Sequence, residues 1–149
     1  MTTAPNTQAE GNALGRPEQL RITASLTDPM LAFDLAAEIE QLHRDALWLK
    51  NGRLSKLLAK HSDFRILLMI MKPGVLMQEH KTDARISIHV LSGRLLIKLS
   101  GQSVELPAGH LLVLEKALSH DLKALEESAF LLSISWPHGD DQPPPQASV

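Results

Sequence analysis

The chain has 149 residues, 44% of them hydrophobic and 21% charged, a length that fits one domain and lets folding bury roughly 70% of the unfolded chain's surface. Fifteen Lys and Arg against 17 Asp and Glu give a net charge of -2, so no positive field exists to collect counterion-release energy, and nucleic acid is excluded as an expected partner. Cys is absent, which removes disulfides, thiol nucleophiles, iron–sulfur clusters and thiolate metal sites and leaves only His and carboxylates to hold a metal.

The opening Met1-Thr2-Thr3-Ala4-Pro5-Asn6 has no basic stretch followed by an apolar core, so neither a signal peptide nor a membrane anchor is expected. No apolar run approaches the roughly 20 residues that span a bilayer; the expectation is a cytoplasmic protein with no membrane partner. Residues 1–28 are rich in Thr, Asn, Gln, Gly and Pro without apolar periodicity and are expected to form a flexible tail. Next, Leu35, Ile39 and Leu42 fall at i, i+4 and i+7 within 34–43, which predicts a short amphipathic helix with Glu38 and Glu40 turned outward. No further helix is expected.

Short β runs follow: Arg53 to Lys60, the His61-Ser62-Asp63 turn, and Phe64 to Met71, stopped by Pro73-Gly74. Further strands are expected at Val75 to Glu79, Arg85 to Leu91, Arg94 to Leu99, Ser103 to Leu106, His110 to Leu114, His120 to Leu125 and Ala129 to Trp136. Ser92-Gly93, Ser100-Gly101 and Glu126-Glu127 supply turns between them. After Pro137, the run Pro143-Pro144-Pro145 neither donates to a ladder nor continues a helix, so 137–149 is expected to be a second flexible tail and 29–136 the folded unit. Connections this short exclude parallel crossovers, and the pattern predicts an all-β antiparallel sandwich or barrel whose apolar faces meet.

Gly74, five residues and His80, followed by Val90-Leu91-Ser92-Gly93, resembles the first motif of the cupin family. Gly101, five residues, Pro107-Ala108-Gly109, the strand Leu111 to Leu114 and His120 resemble the second motif. The two stretches cover residues 74–120, and the flanking strands suit the remainder of such a barrel. The resemblance, to small single-domain bacterial cupins, implies a jelly-roll-like antiparallel β-barrel with a short N-terminal helix.

It also implies a metal site of three His and one Glu, from which this sequence departs. His80 and His120 match two of the ligands, Thr82 or Lys81 stands at the second His, and Ile86 stands at the Glu. Neither substitute pair replaces imidazole and carboxylate, so a divalent transition metal is expected to bind weakly and partially, on His80 and His120. Gln78 shares strand parity with His80 and is the expected third donor, pointing inward. His89 is expected on the outer face, His110 in a turn, and His43, His61 and His138 on the solvated surface.

Two functions follow from this set. In the first, a homodimeric barrel takes a small molecule in an interior walled by Ile86, Ile88, Val90, Leu122 and Leu132 and oriented by His80, Gln78 and His120. In the second, His80 and His120 hold a metal for an oxygenase or isomerase reaction. A third, a ligand-free interaction partner, completes the alternatives. Dimerisation is expected because Leu95, Ile97 and Leu99 alternate with Leu96 and Lys98, leaving apolar area on both faces and unprotected sheet edges.

Overall fold

The computed structural model describes residue 26, residues 28–80 and residues 83–137, with the backbone alone at Glu79 and His80. Most of the two expected tails lies outside the described residues. Leu26, at the end of the first, is tied down: its carbonyl accepts from the Lys60 N–H at 3.1 Å.

Helix α1 spans Leu35–Arg44 and is capped by the Asp34 side chain, which accepts from the Ala37 N–H at 3.2 Å. A second helix, α2 (Ala46–Asn51), corrects the expectation of a single one. Asp45 caps it through the Leu47 N–H at 2.9 Å, and Gly52 ends it at φ 67; one and a half turns are too few for periodicity to register, and the two caps carry the signal instead. Glu38 is also corrected. It lies three residues from Leu35 and four from Leu42, hence in the apolar stripe, and is buried in an ion pair with the equally buried Lys56.

Nine strands form among the described residues: β1 (Arg53–Lys60), β2 (Phe64–Met71), β3 (Leu76–His80), β4 (Arg85–Ser92), β5 (Arg94–Leu99), β6 (Gln102–Pro107), β7 (Leu111–Leu114), β8 (His120–Ala124) and β9 (Ser128–Ser135). All pair antiparallel, in a five-stranded sheet of order β1-β2-β9-β4-β7 and a four-stranded sheet of order β3-β8-β5-β6. This is a jelly roll. Its inner faces meet in a core that includes Met69, Ile88, Val90, Leu95, Ile97 and Phe130. The outer face of β1, β2 and β9 carries a second cluster in which Leu58, Leu68 and Ile70 pack under Leu42 and Trp48 of the helices.

Gly93 shows why the β4–β5 hairpin needs that residue. At φ 81 a Cβ there would meet the Glu127 carbonyl oxygen at 2.3 Å and the Ser128 Oγ at 2.4 Å. The buried Ser128 hydroxyl fills this space, accepting from the Arg94 N–H at 3.0 Å and donating to the Glu126 carbonyl at 2.8 Å.

Candidate functional site at the barrel mouth

Strand pairing sorts the inner face of the larger sheet into rungs. Met69, Phe130 and Val90 form one, Leu67, Leu132, Ile88 and Leu112 the next, and Arg65, Ile134, Ile86 and Leu114 the last. Rungs on one face are about 6.6 Å apart. In the four-stranded sheet the paired positions are Met77, Leu122, Ile97 and Val104, then His80, His120, Leu99 and Gln102. The β3–β4 and β7–β8 connections join the strand ends at this side, so the Arg65 rung and the His120 rung share one end of the sandwich. In a packed pair of sheets, faces stand about 10 Å apart. That end is the mouth.

His120 is buried, and its Nδ1 lies 2.9 Å from the Leu118 carbonyl oxygen. A carbonyl only accepts, so Nδ1 carries the proton of this hydrogen bond. Across the β3–β8 ladder, His80 is the Cα partner of His120. Arg65 sits on the inner face of β2, in step with Leu67, Met69 and Met71, and its guanidinium lies 5.3 Å from the centroid of the buried Trp136 ring. The Trp136 backbone N–H donates to the Asp63 carbonyl at 2.9 Å, which ties the chain after β9 to the start of β2. Rim charges outside the mouth pair with each other, Arg85 Nε with Glu115 at 2.8 Å.

The expected inner residues divide. Ile86, Ile88, Val90, Leu122 and Leu132 all belong to the inner core, Ile86 on the mouth rung and Val90 two rungs below it. Gln78 is exposed, contrary to the parity argument. Between Met77 and His80 the β3–β8 register shifts, three steps on β3 matching two on β8; this bulge breaks simple alternation and turns Gln78 outward while Met77 stays buried. His61, His89 and His110 are exposed. His43 is not a free surface group: it is half-buried, edge-on to Trp48 with ring centroids 5.0 Å apart. Thr82, Lys81 and His138 lie outside the described residues.

Sequence reasoning missed Arg65 and Trp136. The signal was present: Arg65 is the one charge in the apolar run Phe64 to Met71 and has the parity of Leu67. It also missed an apolar groove of about 390 Å³ on the outer face, between residues 28–35 and the strands β1 and β2, with Leu31, Phe33, Leu58 and Phe64 in its walls.

Among the described residues, the donors do not make up the metal site that the cupin resemblance implies. The inner-face position at which the resemblance places a carboxylate is filled by the buried Ile86, between Ile134 and Leu114, and Gln78 is turned away. Among the described residues, no three His, Asp or Glu side chains converge. One imidazole backed by a carbonyl is a sound ligand, but an apolar neighbour supplies neither donor nor compensating charge.

Two antiparallel sheets in this order, closed against each other around one core, define a jelly-roll barrel. The comparisons narrow it: the chain has the cupin fold. It is similar to a cupin superfamily protein from Desulfitobacterium hafniense, with 20% identity over 58% of this chain and 79% of that one at a TM-score of 0.56. A cupin-2 domain containing protein from Shewanella frigidimarina is 18% identical over 70% of this chain and 94% of that one, at a TM-score of 0.58. A salicylate 1,2-dioxygenase from Pseudaminobacter salicylatoxidans is 12% identical over 74% of this chain and 36% of that enzyme, at a TM-score of 0.64. No family model and no curated protein matches the chain.

Proposed function

We propose that this protein binds a small molecule at the barrel mouth and acts as a homodimer. The observation that carries the reading is the mixed character of that mouth: apolar Ile86, Leu114 and Ile134 beside the buried His120 and the inward Arg65. Ligand sites commonly combine apolar walls with a few placed polar groups. His120 brings an imidazole whose Nδ1 is engaged by the Leu118 carbonyl, and Arg65 presents donors only. The dimer is supported by the edge strand β7, where Leu111 and Val113 are 61% and 63% exposed; a second copy covering them would bury apolar area and protect the edge.

The assay uses the two Trp, in a chain without Tyr. Trp136 stands at the mouth and Trp48 under the helices, so their indole N–H resonances separate binding at the mouth from effects elsewhere. A fragment screen is expected to move the Trp136 signal with Trp48 unchanged, and untagged protein is expected to hold metal far below stoichiometry. Near-stoichiometric metal that is lost in both His80→Ala and His120→Ala would replace this reading with a metal-dependent enzyme of the oxygenase or isomerase type.

A further inference from the structure

We infer that the ligand of this mouth is a small monocarboxylate with an apolar body, its carboxylate held by Arg65 and its body against Trp136 and Ile86. The inference rests on the mouth-binding reading and names the ligand's chemical class. Arg65 is an inner-face cation whose Nε is buried without a hydrogen-bond acceptor. Buried donors almost always have an acceptor, and leaving one unmet costs about 1–3 kcal/mol.

Three of the other described arginines have a carboxylate partner, Arg44 with Glu40 at 2.7 Å, Arg85 with Glu115 at 2.8 Å and Arg94 with Glu105 at 3.2 Å, and the fourth, Arg53, is exposed to solvent. Arg65 makes no ion pair with any described residue. Its neighbour across β1–β2 is Lys60, an exposed cation. Like charges directly opposite each other in a sheet repel, so an anion beside them relieves two costs at once.

The anion's identity follows from the surroundings. A guanidinium edge, Nε with one terminal nitrogen, matches a carboxylate in a bidentate pair. The guanidinium carbon of Arg65 lies 5.3 Å from the Trp136 ring centroid, a cation–π contact that restrains the side chain at the mouth. A phosphate, with nearly twice the charge, asks for more inward cations than the mouth rung provides, because Ile134, Ile86 and Leu114 fill the remaining positions. These apolar side chains call instead for a hydrocarbon or aromatic body attached to a single charge.

The test titrates the full-length, nitrogen-15-labelled chain with benzoate and phenylacetate, with their neutral amides, and with inorganic phosphate. The Arg65 Nε–H signal is assigned through Arg65→Lys and the Trp136 indole through Trp136→Phe. Both signals are expected to move with the acids, which should bind at least about tenfold more tightly than the amides. Arg65→Leu should remove that preference, the acids losing more affinity than the amides, and Arg65→Lys, which keeps the charge but loses the fork, should retain part of it. Overlaid backbone spectra establish that both variants remain folded.

Equal binding of acids and amides, or a preference that survives Arg65→Leu, would overturn the inference and leave mouth binding intact. Tighter binding of phosphate than of benzoate would also overturn it. No response of Trp136 to any member of the panel would overturn both.

Discussion

Lys56→Met should destabilise the protein more than replacing both members of its ion pair. Lys56 and Glu38 are 6% and 7% exposed, and their contact joins α1 to β1 under the second hydrophobic cluster. Met preserves most of the lysine stem but leaves a carboxylate buried without its cation, a loss of about 3–5 kcal/mol. Against a total stability of about 5–15 kcal/mol, that would lower the melting temperature by about 10–20 °C for a chain of this size. Glu38→Leu should cost less, about 1–3 kcal/mol, because a lysine can extend its ammonium toward water. The double variant Glu38→Leu, Lys56→Met should regain most of the loss, since well-packed apolar groups often replace a buried pair at no cost. Urea unfolding followed by the fluorescence of Trp48, which belongs to the same cluster, closes the double-mutant cycle. A double variant no more stable than Lys56→Met would refute the reasoning. So would a Lys56→Met loss below about 1 kcal/mol, the scale of a solvated pair such as Arg44–Glu40, whose side chains are 72% and 66% exposed.

Gly93→Ala should cost at least about 3 kcal/mol, since the added methyl overlaps the Glu127 carbonyl oxygen, whereas Gly101→Ala, at the same φ of 81 but with nothing within 4 Å, should cost only about 1 kcal/mol of backbone strain; equal urea midpoints would contradict this. Sedimentation at micromolar concentration should show a dimer, and Leu111→Glu with Val113→Glu should give a folded monomer; a wild-type monomer would refute the association.

The strands were legible because alternation survives in the sequence: Ile86, Ile88 and Val90 point inward and His89 outward, as a period of two requires. The paired glycine motifs placed the hairpins for a related reason, since a backbone at positive φ restricts the residue type. What stayed hidden depends on tertiary neighbours. Glu38 reads as solvent-facing until Lys56, 18 positions later, is folded against it. Gln78 reads as inward until a bulge shifts β3 against β8, and a bulge has no composition that marks it here. Arg65 was visible as an oddity in an apolar run, but its placement beside Trp136 needs β2 and β9 in register.

Ile86→Glu restores the carboxylate that the cupin resemblance expects, and its outcome separates the two chemistries the mouth can support. Ile86 and Arg65 lie on either side of Ile134 in one rung, so their Cα atoms are two strand spacings apart, about 9.5 Å. Glutamate and arginine side chains span that gap together. If Arg65 is the anchor for a carboxylate, the new glutamate takes the ligand's place: benzoate binding should fall at least about tenfold, metal content should not change, and the Arg65 Nε–H resonance should move in the ligand-free protein toward its benzoate-bound position. The double variant Ile86→Glu, Arg65→Leu should then be less stable than Ile86→Glu alone, because it buries a carboxylate with no cation. If the imidazoles instead govern the mouth, Ile86→Glu should bind zinc or nickel near stoichiometry and leave the Arg65 signal where it was. Elemental analysis and one nitrogen-15 spectrum decide between them, and the second pattern would refute Arg65 as the anchor.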